Sequence, residues 1–197
     1  MGAVATRPVL WFDLGSPWAY LAVERAPRAL GVEPEWRPVL LGGLFRRFDR
    51  DSWARTSARA EGMAEVERRA REYGLPPVRW PEPWPGNGLG AMRAATVAAA
   101  EGAVRPFALA AYRLAFVEGR DLSDLEAVLL AAARAGLDPE RVRAGVADPE
   151  VKARLRAETD AAGDRGVFGV PTVAVGDALF WGDDRLEEAA RALRHGG

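Results

Sequence analysis

Apolar positions along this chain fall into two rhythms, short continuous runs at its ends and helical spacing between them. Val9-Leu10-Trp11-Phe12 is a β-branched and aromatic run closed by Asp13-Leu14-Gly15, the pattern of a buried strand that ends in a turn. Ser16-Pro17 then offers an N-cap hydroxyl and a proline for the first helical position, and Trp18, Leu21, Ala22 and Ala29 fall on one face of the helix that follows. Pro27 is expected to kink or shorten that helix, and Gly31 to stop it. Glu35 to Leu41 returns as an extended segment ended by Gly42-Gly43, which makes a βαβ unit whose crossover should be right-handed.

From Leu44 to Arg165 the spacing is helical, with one proline-rich interruption, Pro76 to Pro85, that must be a loop. Ser123-Asp124-Leu125-Glu126 reads as a capping box, and Asp138-Pro139-Glu140 and Asp148-Pro149-Glu150 each pair an N-cap acid with a first-turn proline. Strands are expected again only at Thr172 to Val175 and Ala178 to Trp181, joined by a Gly176-Asp177 turn, before a final helix from about Arg185 to Leu193. The order is βαβ, helices, ββα. This is an α/β thioredoxin-like order, with residues 1–44 and 166–197 forming one mixed-sheet domain and residues 45–165 an all-helical insertion domain after the second strand.

Composition narrows the chemistry. The 197 residues include no cysteine, which excludes disulfide exchange by a protein sulfur, cysteine-based zinc sites and covalent haem attachment, so any sulfur chemistry must come from a ligand; no metal site is expected. Twenty-seven Lys+Arg balance twenty-eight Asp+Glu, a net charge of -1 that gives no reason to expect a nucleic-acid partner. No apolar run approaches the roughly 20 residues of a membrane helix, and Met1 to Pro8 lacks the apolar core of a secretory signal, so a cytoplasmic protein without a membrane partner is expected. Met1-Gly2 followed by Thr6 matches the loose myristoylation pattern, which is common by chance. His195 lies in the tail, and Gly86-Asn87-Gly88-Leu89-Gly90 follows prolines rather than a strand, so neither suggests catalysis or a dinucleotide loop.

Two local features carry candidate chemistry. At Gly15-Ser16-Pro17, between strand and helix, backbone N–H groups and the helix dipole converge on whatever sits beyond Ser16, and an anion there would be stabilised. On its own the motif reads as an ordinary N-cap worth about 1 kcal/mol. At Gly169-Val170-Pro171-Thr172 a strand-initial proline, of a kind that can be cis, leaves the backbone of the preceding residue free to pair with an extended ligand. Trp11, Phe45, Phe48, Trp53, Trp80 and Trp84 are candidates to line an apolar pocket between the two lobes, although several must be ordinary core.

Together, Phe12-Asp13-Leu14-Gly15-Ser16-Pro17-Trp18 and Val167-Phe168-Gly169-Val170-Pro171-Thr172 resemble the signature segments of the 2-hydroxychromene-2-carboxylate isomerases, whose wider kin are the kappa-class glutathione transferases and DsbA. The likeness continues in family order through Arg37 to Gly43, Asn87 to Arg93 and Phe180 to Leu186, nearly the whole chain. The resemblance implies that Ser16 donates a hydrogen bond to the sulfur of bound glutathione, or of another low-molecular-weight thiol. It further implies that Val170, before Pro171, pairs with the cysteinyl part, that Asp184 and Arg185, next to Asp183, meet the γ-glutamyl end, and that Asn87 reaches the site from the insertion. Each also has a plainer reading: Asp183 or Asp184 as a helix cap, Arg185 as a solvated first-turn side chain, Asn87 as a turn residue. The kappa-class pattern carries an Asn and a Lys early in the insertion, and Phe45 to Glu61 shows neither clearly; Arg46 and Arg47 are candidate substitutes, which leaves the identity of the thiol open.

The expected function is a glutathione-dependent isomerase acting on a small conjugated aromatic keto acid, and by resemblance a homodimer. Two alternatives stand beside it: a kappa-type glutathione transferase or peroxidase, and a cysteine-free DsbA-like module that binds peptides along the Val170-Pro171 edge without catalysis.

Overall fold

The structure, a computed structural model, describes residues 7–195. The myristoylation pattern at Met1-Gly2 and Thr6 lies outside the described residues.

All four residues of β1 (Val9–Phe12) are buried, because the strand is central and covered on both faces. It pairs in parallel with β2 (Glu35–Pro38), Val9 opposite Glu35 and Phe12 opposite Pro38, and antiparallel with β3 (Thr172–Val175), Trp11 opposite Thr172. A hairpin adds β4 (Ala178–Trp181) outside β3, so the sheet order is β2-β1-β3-β4, a mixed thioredoxin-like sheet built from both ends of the chain. Between β1 and β2, α1 (Pro17–Leu30) buries Tyr20, Leu21, Ala22, Val23 and Ala26. It runs through Pro27 and ends where Gly31, at φ 74°, donates its N–H to the Pro27 carbonyl.

The strand expected to reach Leu41 stops at Pro38, and Leu41-Gly42-Gly43 opens a short helix instead, α2 (Leu41–Arg47). The cause lies 28 residues away. The Asp13 carboxylate accepts the Leu41 N–H at 2.8 Å, so an acid at the end of β1 satisfies a donor that a helix start leaves free. A 3-10 turn (Trp53–Arg55) leads to α3 (Arg59–Glu72), and the proline-rich stretch is a loop, as expected.

The insertion continues with α4 (Leu89–Ala100), α5 (Val104–Phe116), α6 (Leu125–Arg134), α7 (Pro139–Ala147) and α8 (Pro149–Asp164). Asp138 and Asp148 cap α7 and α8 by accepting N–H bonds from Glu140 and Glu150, at 3.0 and 2.8 Å. The capping box expected on Ser123 is displaced by one residue: Asp124 is the N-cap of α6, because the Ser123 amide and hydroxyl are both taken by the Asp121 carboxylate. Alanines 91, 94, 95 and 98 of α4 are fully buried, which lets this helix sit at the centre of the insertion. The chain closes with a 3-10 turn (Asp183–Arg185) and α9 (Leu186–His195). No helix among the described residues is long and apolar enough to cross a membrane.

Aromatic residues join insertion and sheet. Tyr20 of α1 packs against Tyr112 and Phe116 of α5 at centroid distances of 6.0 and 5.6 Å, and the Tyr112 hydroxyl donates to the Asp13 carbonyl at 2.8 Å. Burial pushes the phenols of Tyr20 and Tyr73 up to about 12, and that of Tyr112 well above its ordinary value. These are all three tyrosines of the chain. An unfolded chain releases those protons near pH ~10, before the folded one does, so stability should fall as pH rises through the interval from 10 towards 12. Ultraviolet titration should therefore show no tyrosinate in the folded protein until the fold itself is lost; a transition centred near 10 in folded protein would contradict this packing.

Candidate active site

Strand β1 ends by driving Asp13 into the protein, and that side chain shapes the turn beyond it. One carboxylate oxygen accepts the Gly15 N–H at 2.8 Å, the other holds Leu41, and the Asp13 carbonyl accepts the Ser16 N–H at 3.0 Å. Burial pushes the Asp13 carboxyl above the usual carboxylate range, with the Leu41 and Gly15 amides pulling the other way. The Leu14 N–H is directed at the Met92 sulfur of α4, 3.1 Å away. The turn is thus held from β1, α2, α4 and α5 at once.

Ser16, 4 % exposed, sits at the end of this turn. Its Oγ accepts the Ala19 N–H at 3.2 Å, the N-cap bond, and its hydroxyl proton has no acceptor among the described residues. Pro17 has no N–H, and the Trp18 N–H likewise makes no hydrogen bond among the described residues. A hydroxyl proton and an amide are therefore available at the positive end of α1.

The residue pairing Trp11 with Thr172 brings the start of β3 beside this turn. The Val170–Pro171 peptide is cis, and the Val170 amide and carbonyl have no partner among the described residues. Ser16 and Val170 both open onto one cleft of about 1430 Å³ between the sheet and the insertion. Asn87, Asp183 and Asp184 also line it, whereas Pro171 and Arg185 do not.

The candidates are not equally free. Asp183, 2 % exposed, gives its two carboxylate oxygens to Arg69 and to the Tyr73 hydroxyl, each at 2.9 Å, and its carbonyl to Arg25 at 3.1 Å. Burial raises its carboxyl above the ordinary range, with Arg69 opposing. It fastens the turn before α9 to α3. Asp184 is largely exposed and reaches Arg69 at 3.2 Å. Arg185 pairs with Glu188 on α9. Asn87 lies just before Gly88, the N-cap of α4, and its side-chain oxygen accepts the Leu89 N–H at 3.2 Å, which leaves its amide N–H groups for the cleft. Arg46 lines the cleft, while Arg47 is tied to Asp164 and the Asp160 carbonyl.

Of the six aromatic candidates, Phe45, Trp53 and Trp84 line the cleft; Trp11, Phe48 and Trp80 do not. Trp18, which the period groups with Leu21, Ala22 and Ala29 on one face of α1, lines the cleft as well and packs on Trp53 at 5.9 Å, which in turn packs on Trp84 at 5.4 Å. Arg69 stacks over Trp18, 5.2 Å from the ring centroid. Gly62 lets α3 approach this row: a Cβ there would lie 2.3 Å from the Trp53 ring. Gly62→Ala should therefore displace Trp53, destabilise the fold by about 1–3 kcal/mol as overpacking does, and weaken binding of flat apolar ligands. Unchanged melting and unchanged tryptophan emission would show that the ring has room to yield.

The family model for the DSBA-like thioredoxin domain matches residues 9–194. A 2-hydroxychromene-2-carboxylate isomerase of Sphingobium xenophagum is 30 % identical over 186 residues, covering 90 % of this chain and 92 % of that protein. Glutathione S-transferase kappa 1 of Homo sapiens is 25 % identical over 210 residues, covering 98 % and 93 %. Among solved structures, a 2-hydroxychromene-2-carboxylate isomerase superposes with a TM-score of 0.86 at 22 % identity, covering 96 % of this chain and 95 % of the other.

Proposed function

The chain belongs to the DSBA-like thioredoxin domain family, and from that premise we propose that it is a glutathione-dependent isomerase of the 2-hydroxychromene-2-carboxylate type. The observation that carries the reading is the pairing, across one cleft, of a Ser16 hydroxyl proton at a helix N-terminus with the Val170 backbone, neither of which has a partner among the described residues. Glutathione fits those groups: an extended peptide can pair with the Val170 amide and carbonyl while its sulfur lies against Ser16 and the Trp18 N–H. When bound, it supplies a thiolate that adds to a conjugated aromatic keto acid and leaves again after a bond rotation, so no atom or electron is gained overall.

What the protein's residues contribute can be sized. A free thiol with pKa near ~8.5 is mostly protonated at pH 7, and lowering that value by ~2 units requires ~2.7 kcal/mol. One hydrogen bond from Ser16 to a charged sulfur, at about 1.5–3 kcal/mol, together with the dipole of α1, at about 0.3–1 kcal/mol, is of the required size. Asp184, Asn87 and Arg46 stand where polar ends of the thiol would meet the cleft, and Trp18, Trp53 and Trp84 offer flat apolar area to the acceptor. Arg185 in this reading must leave Glu188 to take part. A chain without cysteine gains a sulfur nucleophile only where reduced thiol is abundant, which fits the cytoplasm.

The test is a glutathione titration followed by tryptophan emission, with isomerisation of 2-hydroxychromene-2-carboxylate as the activity. Saturable binding and isomerisation that needs glutathione support the reading. Glutathione conjugation to an aromatic halide in place of isomerisation would move it to the kappa-type transferase, which uses the same groups. Binding of peptides but not of glutathione would leave only the non-catalytic module.

A further inference from the structure

Arg93 is a half-buried cation that makes one side-chain hydrogen bond among the described residues. Of the five N–H groups of its guanidinium, one at Nη1 donates to the Val146 carbonyl at 3.2 Å, and the Nε–H is shut away from solvent without an acceptor among the described residues. It forms no ion pair among the described residues, although it lines the cleft. It follows Met92, whose sulfur meets the turn that carries Ser16. Lys152, in the first turn of α8, lines the same cleft without an ion pair among the described residues, and Arg156, one turn on, has among them only a distant contact of 3.8 Å with Asp160. The buried Nε–H is a cost that no ligand in the cleft repays, but the Nη donors left over are the ones a planar oxyanion in the cleft would meet two at a time.

We infer that Arg93, backed by Lys152, receives the carboxylate of the aromatic co-substrate and so selects acidic over neutral acceptors. The inference rests on the cleft being the active site proposed above, and it adds the residue that reads the substrate's charge. A carboxylate could also come from the thiol. The co-substrate is favoured because Arg93 shares the insertion with Trp53 and Trp84, two of the three tryptophans that offer the flat surface, whereas the groups left for the thiol's sulfur and backbone, Ser16 and Val170, belong to the sheet side.

Calorimetric titration of the full chain with phenylpyruvate and with its methyl ester, in the absence of any thiol, tests this without calling on the proposed reaction. The native protein should prefer the acid by roughly 10-fold or more, the range of a charge-assisted pair. In Arg93→Met the preference should fall to about 2-fold or less while the ester binds as before. Should that variant fail to fold, Arg93→Gln, which keeps a donor for Val146, carries the same expectation. An acid preference that survives in the folded variant, or that is absent in the native protein, overturns the inference. So does a variant that loses glutathione affinity in place of acid preference, because the carboxylate read would then be the thiol's. Native protein that ignores glutathione yet loses its acid preference with Arg93 would contradict the proposed function while supporting this site.

Discussion

Ser16→Ala is expected to lower glutathione-dependent turnover by roughly 10- to 100-fold while the protein still folds, the effect of removing one hydrogen bond to a charged group. The same change removes the N-cap bond to Ala19, at a cost of about 1 kcal/mol in stability. The two losses can be separated, because glycine at an N-cap is only a few tenths of a kcal/mol poorer than serine. Ser16→Gly should melt closer to the native protein and yet lose as much turnover as Ser16→Ala. If activity instead follows melting temperature across the pair, Ser16 is a cap and nothing more.

Asp13→Ala should be the most damaging single change near the site. It strips the acceptors from the Gly15 and Leu41 amides, and unmet buried donors cost about 1–3 kcal/mol each, so a loss of about 2–6 kcal/mol is expected in chemical denaturation. Turnover should fall beyond the loss of folded protein, since the turn ending in Ser16 and the start of α2 are both released. A pH dependence accompanies this. The Asp13 carboxyl has a raised folded pKa, so the folded state binds its proton more tightly than the unfolded chain does, and the native protein loses stability from this group as pH rises through the interval above the ordinary carboxylate value. Asp13→Asn should lack that contribution. Equal stability of Asp13→Ala and the native protein would show that water replaces the carboxylate.

What could be read from the residues was what the chain decides locally. The Val9–Phe12 run, the Ser16-Pro17 helix start, the Asp-Pro caps at 138 and 148 and the closing hairpin are all set by neighbours a few positions apart, and they place both arms of the cleft. The misses are long-range. Helix α2 begins at Leu41 because of Asp13, and nothing in Leu40-Leu41-Gly42-Gly43 announces it. Asp183 looks like a free helix cap until α3 delivers Arg69 and Tyr73 to it from more than a hundred residues away. The period puts Trp18 on one face of α1 with Leu21, Ala22 and Ala29, and does not show that it borders the cleft, where the insertion brings Trp53 onto it. Arg93, one arginine among many, stands out only once its missing acceptors are counted in three dimensions.

The central claim is that α1 and the Ser16 hydroxyl hold a borrowed sulfur as its anion, and the ionisation of bound glutathione tests it most directly. Thiolate absorbance, followed against pH at saturating glutathione, should give a bound thiol pKa of about 6.5, some ~2 units below the free value, moving back towards ~8.5 in Ser16→Ala. A bound thiol that ionises as it does in water, or one whose ionisation is the same with and without the hydroxyl, would contradict the account.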